Sequence, residues 1–208
     1  MTIWADMIYG EDVKFTTPLP DKSFLASFPK DIRILDVGCG YGRVLSYLQS
    51  LGFTNLTGFD MSPSYVLEAK KNCQDANLFV SDFKSLNLNK KYDLILLMGV
   101  IEYILTDNDQ DAFFRKISRS LSINGSVLLE TFIIDFKQNW KQYIFGFIKT
   151  LHFGRFKNSK GFECHHQSIN NLRMILQKYF IIESEAGKCY VTWTKNYCRG
   201  HNFNLRKK

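Results

Sequence analysis

The chain has 208 residues, is 45 % hydrophobic and carries a formal net charge of +7, which predicts one globular domain with a sizeable core. The longest apolar run, residues 94–105, contains Glu102 and is too short and too polar to span a bilayer. Residues 1–15 carry Asp6, Glu11 and Asp12 and lack the basic-then-apolar order of a signal peptide. Five cysteines without regular spacing argue against a disulfide scaffold and for reduced thiols, so a cytoplasmic location is expected.

In chain order, residues 1–29 read as a lead-in. Trp4, Met7 and Ile8 have helical spacing, and Pro18, Pro20 and Pro29 break any long element. The stretch from Arg33 to Gly42 then runs as a buried strand through Asp36 into Gly38, Gly40 and Gly42, and Val44, Leu45, Leu48 and Leu51 follow with a helical period. Such glycines allow backbone angles closed to other residues and keep side chains away from a ligand. The helix behind them offers unpaired N–H groups and the positive end of its dipole. Residues 55–60 read as a second strand ending in Asp60, which lies 20 residues beyond Gly40. That spacing brings a carboxylate on a parallel neighbour strand to a ribose diol. The competing role for Asp60 is a cap for the helix 63–73, where Ser62 serves equally well.

Residues 78–83 read as a third strand followed by Asp82 and Phe83. Residues 92–103 form a nearly unbroken apolar run, as expected of a central parallel strand, with Met98 and Gly99 at its carboxyl end. Phe113, Phe114, Ile117 and Leu121 mark one face of a helix over 108–121. Asn124-Gly125 turns into a fifth strand at 126–131. Residues 132–166 are aromatic and basic, with Trp140, Ile144, Phe147 and Leu151 near helical spacing. Such a segment either caps a substrate site or covers the sheet. Ser168 caps a helix to residue 178, and residues 179–186 and 189–194 read as two strands joined at Gly187-Lys188, which forces antiparallel pairing. Positive charge collects in residues 135–160, with six Lys/Arg against Asp135, and in 195–208, with five and no acid. A basic end of this kind is expected to be solvated, with nucleic acid or anionic lipid as the alternative contact.

The glycine stretch is not G-x-G-x-x-G, since Arg43 stands in the third glycine position, and no phosphate-loop Gly-Lys pair follows. The pattern D-x-G-x-G-x-G from Asp36 to Gly42 resembles the first motif of class I S-adenosylmethionine-dependent methyltransferases. The strand-acid pattern at Asp60, the Asp82-Phe83 pair, the run from Tyr92 to Tyr103 and the late turn at Asn124-Gly125 resemble that family's later motifs, over about residues 30–195. The resemblance implies an α/β, Rossmann-like three-layer sandwich with a seven-stranded, mostly parallel sheet in order 3-2-1-4-5-7-6 and an antiparallel strand 7. It implies a single domain: lead-in or lid 1–29, cofactor-binding core 30–131, substrate-side insertion 132–166, C-terminal helix and hairpin 167–195 and basic tail 196–208.

The resemblance also implies S-adenosyl-L-methionine as cofactor, with S-adenosyl-L-homocysteine as product. Its contacts would be Tyr9 from the lid, Asp36, Gly38, Cys39, Gly40, Tyr41 and Gly42 around the methionine part, Asp60 on the ribose, Met61, Asp82 and Phe83 on the adenine, and Met98 and Gly99 at the end of the fourth strand. For Tyr9 and Trp4, packing on the sheet is the open alternative, and for Phe83 it is ordinary core packing. The family's frequent histidine after the fourth strand is Tyr103 here. Candidates for a base are His165, His166 and Tyr103, and for acceptor contacts Tyr103, Trp140 and Tyr143. No cysteine or histidine pair has the spacing of a structural zinc site, so no metal is expected. The expected reaction is methyl transfer to a nitrogen or oxygen of a small molecule. The alternatives are RNA or protein methylation using residues 135–160 and the tail, or a partner protein that binds the cofactor without catalysis.

Overall fold

The computed structural model describes residues 19–86, 88, 90–158, 161–191 and 197–208. Trp4 and Tyr9 lie outside the described residues. In chain order the elements are α1 (Lys22–Ala26), β1 (Ile34–Val37), α2 (Arg43–Ser50), β2 (Leu56–Asp60), α3 (Pro63–Asn72), β3 (Asn77–Val80), β4 (Tyr92–Met98), a 3-10 turn (Ile101–Tyr103), α4 (Asp107–Ser120), β5 (Leu121–Phe132), α5 (Phe136–Thr150), β6 (Arg155–Lys157), β7 (Glu163–His165), α6 (Ile169–Gln177), β8 (Phe180–Val191) and β9 (Tyr197–Lys207). Seven strands form one sheet in order β3-β2-β1-β4-β5-β9-β8, and β6 and β7 form a separate hairpin. Strands β1 to β5 pair in parallel, and β9 runs antiparallel to both β5 and β8. Counting only the strands of the main sheet, this is the expected order 3-2-1-4-5-7-6.

The three layers follow from side-chain alternation along strands buried on both faces. Leu35, Val37, Ile95 and Leu97 point to one face and pack with Phe113, Phe114 and Ile117 of α4 and Leu172 and Leu176 of α6. Ile34, Leu94 and Leu96 point to the other and pack with Val44, Leu45 and Leu48 of α2, Val66 and Ala69 of α3 and Leu25 of α1. Helix starts are set locally. Thr106 Oγ1 accepts from Asp109 N, Ser168 Oγ from Asn171 N and Ser62 Oγ from Tyr65 N, with Pro63 opening α3.

Two expectations fail at the carboxyl end of the chain. Gly187 and Lys188 are not a hairpin turn, because they pair with His201 and Gly200 inside the β8–β9 ladder. Residues 189–191 therefore continue β8. Nor are residues 196–208 a solvated tail: all but the first and last form β9, which lies between β5 and β8 rather than at the sheet edge. His201, Phe203 and Leu205 are buried, while Asn202, Asn204 and Arg206 alternate with them. The cations are engaged within the fold, with Arg206 Nε 2.6 Å from Glu183 Oε1 and Lys207 Nζ donating to Leu121 O at 2.9 Å. Residues 192–196, between the two strands, lie outside the described residues.

The insertion does not cover the sheet with its aromatic stripe. α5 touches the rest of the fold through Asn139, Tyr143 and Gly146, and Trp140, Ile144, Phe147 and Leu151 face outward. Gly146 sets this contact: a Cβ there would stand 1.9 Å from Arg155 O. Gly146→Ala should therefore lift α5 from β6. The expected result is a melting temperature several degrees lower and faster proteolysis within residues 133–166, at an overpacking cost of about 1–3 kcal/mol, with cofactor affinity unchanged. Unaltered protease resistance of that segment would show that the contact does not hold it.

Candidate active site

Parallel pairing brings the carboxyl ends of β3, β2, β1 and β4 to one edge of the sheet, the end at which open α/β sheets bind ligands. At the tip of β2, Asp60 Oδ2 accepts from Gly40 N at 3.0 Å and Oδ1 accepts from Ser62 N at 2.9 Å. Helix α3 is capped by Ser62 and not by Asp60, which settles the alternative left open by the spacing. Burial pushes the Asp60 carboxyl up, while hydrogen bonds from Ser62, Gly40 and Met61 backbone pull it down. Gly38, Gly40 and Gly42 all take left-handed φ, at 67°, 53° and 88°. The two outer ones also meet neighbours closely: a Cβ at Gly38 would lie 2.7 Å from Val100 Cγ2, and one at Gly42 would lie 2.9 Å from Cys73 Sγ. At Gly40 a Cβ would meet nothing within 4 Å. The bend is thus packed at both ends and open in the middle.

Asp36 ends up behind this bend, 2 % exposed, with Oδ2 lacking a hydrogen-bond partner. Burial raises its pKa to about 7, against the pull of Arg43. Tyr41 is half-buried, and its carbonyl accepts from Asn72 Nδ2 at 2.9 Å. Cys39 is a correction. Its N–H donates to Phe59 O, its carbonyl accepts from Gly42 N, and its side chain packs in the core. It shapes the bend and does not present a group to a ligand.

Met61 stands 45 % exposed beside Asp60. Asp82, past the end of β3, is exposed, and its Oδ1 accepts from Lys84 N and Ser85 N, both at 2.7 Å. These hydrogen bonds, Ser85's first, hold its carboxyl below the ordinary value. Phe83 packs edge-on against Phe113 at 6.3 Å between ring centroids, so at least part of it serves the core. At the end of β4, Met98 is buried, and Gly99 N donates to Glu130 O at 2.8 Å.

The residues that sequence reasoning missed are Glu102, Glu130 and Thr131. Both acids are buried, and Thr131 Oγ1 donates to Glu102 Oε2 at 3.1 Å. Burial, reinforced by Glu130, raises the Glu102 pKa to about 7. Glu130 Oε2 lies 3.9 Å from Lys188 Nζ. The signal was present in the sequence as an acid within each of two apolar runs, an arrangement that costs free energy unless the acid is hydrogen-bonded, paired or protonated. Tyr103 retains 37 % exposure, yet enclosure of its hydroxyl and the nearby Glu102 raise its pKa well above the ordinary value.

The histidine candidates are both buried. His166 is buried between Phe132 and Phe156, with Nδ1 3.0 Å from Tyr143 Oη, and burial lowers its pKa to about 3. His165 is buried too, its pKa lowered mainly by burial, with Nε2 3.6 Å from Asp107 Oδ1. Tyr143 is fully buried and receives Asp135 N at 3.2 Å, so it does not reach an acceptor. Trp140 is 48 % exposed on the outer side of α5. Among the described residues no three His, Cys, Asp or Glu side chains converge as a metal site, and no helix is long and apolar enough to cross a membrane.

An adenosyl ligand with a cationic methionine end needs an open stretch of backbone, acceptors for a ribose diol and for an amino group, and a partner for an ammonium. The open face of Gly40, the carboxylates of Asp60 and Asp82 and the unpartnered Asp36 oxygen match those needs. Comparison with known proteins gives the family and the fold. Residues 15–179 match the family model described as a methyltransferase domain. The chain is 32 % identical over 123 residues to a ubiquinone biosynthesis O-methyltransferase of Pelagibacter ubique, covering 57 % of this chain and 48 % of that protein. It is 29 % identical over 102 residues to the cyclopropane-fatty-acyl-phospholipid synthase of Escherichia coli, covering 48 % of this chain and 26 % of that one. The chain thus spans about half or less of the length of these curated relatives. A SAM-dependent methyltransferase from Methanosarcina mazei superposes with a TM-score of 0.83 at 21 % identity, over 91 % of this chain and 99 % of that one, which establishes the fold. With its glycine bend, acid-tipped second strand and reversed penultimate strand, the chain belongs to the methyltransferase-domain family and is built as a class I S-adenosylmethionine-dependent methyltransferase.

Proposed function

We propose that this chain transfers a methyl group from S-adenosylmethionine to a nitrogen or oxygen of a small-molecule acceptor. The observation that carries this reading is the bond from Gly40 N to Asp60 beside an open backbone face and an unpartnered Asp36 oxygen. When bound, the cofactor supplies a methyl group already made electrophilic by its sulfonium. The chain's work is to bind and orient, and well-aligned reactants can lower a barrier by roughly 7–11 kcal/mol. Gly38, Gly40 and Gly42 bring backbone against the methionine part, and Asp36 accepts from its ammonium. Asp60 accepts from the ribose hydroxyls, and Asp82, Met61 and Phe83 hold the adenine. The O-methyltransferase among the relatives supports a small acceptor.

An amine or hydroxyl acceptor must lose a proton. Glu102 is the group suited to take it, because a carboxyl raised to about 7 is half ionised near neutrality. Tyr103 keeps its proton and serves as a donor.

Calorimetry with S-adenosylhomocysteine tests the binding half. Asp60→Asn should weaken affinity about 10- to 100-fold, since one backbone donor then faces an amide NH2. Gly40→Ala should fold at a cost of about 1 kcal/mol for its backbone angle yet lose affinity. Gly42→Ala should lose stability by at least about 2 kcal/mol, through strain and overpacking. Binding equal to wild type in Asp60→Asn and Gly40→Ala would remove the site. Transfer of a labelled methyl group to a metabolite extract tests the catalytic half. Bound cofactor with no transfer to any fraction would favour the non-catalytic binder.

Glu102→Gln separates stability from turnover. The folded pKa of Glu102 lies above its unfolded value of about 4.5, so wild type loses stability as pH rises through 7. The variant should gain roughly 1–3 kcal/mol at about pH 8, a gain that vanishes as pH falls toward about 4.5. Turnover should drop about 10²–10⁴-fold. A denaturant midpoint with the same pH dependence as wild type would contradict the burial argument.

A further inference from the structure

Helix α5 exposes large apolar side chains that no core uses. Phe145 is 63 % exposed, Ile148 66 % and Leu151 76 %, with Trp140, Ile144 and Phe147 close to half exposed. Placed at about 100° per residue, Trp140, Ile144, Phe147, Ile148 and Leu151 fall in one sector about 100° wide, beside the face that Asn139, Tyr143 and Gly146 bury. Lys141 borders that sector on its outer side and Lys149 lies farther round, while Lys137 stands before the kink at Asn139; all three are exposed. No acid lies within the helix, and Asp135 is spent as its cap, accepting from Lys137 N.

A second observation sharpens this. Leu151 closes α5 in the left-handed region, at φ 57°, the one non-glycine among the described residues with positive φ. Helices close there with glycine or asparagine for steric reasons. The chain instead keeps a leucine at this unfavourable position and leaves three-quarters of it in solvent.

We propose that this face of α5 docks on an anionic lipid surface, with the apolar sector in the headgroup–acyl boundary and the lysines against lipid phosphates. The chemistry selects this occupant over two others. A second copy docking by a two-fold axis would set the same lysines against one another with no acid on the helix to meet them. A nucleic acid would offer phosphates to the lysines but nothing to Ile144, Ile148 and Leu151, which cannot stack on bases. Aromatic and aliphatic side chains rimmed by lysine are the signature of a helix lying in a membrane interface.

Flotation of the full chain with vesicles tests this. Vesicles of phosphatidylcholine with about a third phosphatidylglycerol should carry the protein at about 0.1 M salt, and phosphatidylcholine alone should carry several-fold less. Raising salt to about 0.5 M should cut binding several-fold. The variant Ile144→Ser/Ile148→Ser/Leu151→Ser, all at exposed positions of the sector, should lose at least about tenfold in partition while S-adenosylhomocysteine affinity and melting temperature hold. Lys137→Gln/Lys141→Gln/Lys149→Gln should bind both vesicle types alike. Equal partition of the serine variant and wild type would overturn the proposal. So would a wild-type dimer in solution that the serine variant converts to monomer, because the face would then belong to a second copy.

Discussion

The carboxylate of Asp60 joins two segments that only a parallel sheet brings together. One oxygen holds Gly40 N and the other holds Ser62 N, so the tip of β2 fixes both the bend after β1 and the entry to α3. Charge-assisted bonds to backbone N–H groups are strong, and this pair ties the position of the Asp60 carboxylate to that of the open glycine. The outer glycines complete the constraint: Gly38 against Val100 and Gly42 against Cys73 leave no room to shift. A ligand that needs both the bend and the acid finds them already in register.

Around that junction the chain carries groups that stability alone would not select. Asp36 and Glu102 are acids in the interior, each raised to about 7 by burial. Uncompensated burial of this kind costs folding free energy at neutral pH and costs less as they protonate. Their cost is concentrated at the carboxyl ends of the central strands. His166 shows the opposite sign. Its pKa of about 3 keeps it neutral near pH 7, and its bond to Tyr143 ties α5 to the segment that follows β7. Acids therefore surround the place where chemistry is expected, and histidines hold the scaffold beside it.

The insertion divides its aromatics by side. Tyr143 and Phe156 form a small core of their own with Cys164, which keeps α5 and the β6–β7 hairpin attached. Phe136 and Phe147 add ring contacts to Phe153, and the other large side chains of α5 face solvent. Helical spacing in the sequence described the helix but not its orientation, because its apolar residues occupy more of the circumference than one buried face requires.

Features that depend on contacts within a turn or between neighbouring strands were legible in the sequence. The spacing of Gly38, Gly40 and Gly42, Asp60 one strand later, the caps Ser62 and Ser168 and the unbroken apolar β4 foretold the glycine bend, the acid beside it and the sheet order, since backbone angles and capping bonds act over a few residues. Tertiary structure alone decided what depends on distant segments meeting. It drew residues 197–207, read as a basic tail, into the sheet between β5 and β8, because His201, Phe203 and Leu205 had a buried face to join and the cations could reach Glu183 and Leu121 O. It also buried His165, His166 and Tyr143 and set Glu102 beside Thr131. Burial is a property of packing between elements far apart in the chain, and a residue's own neighbours in sequence do not specify it.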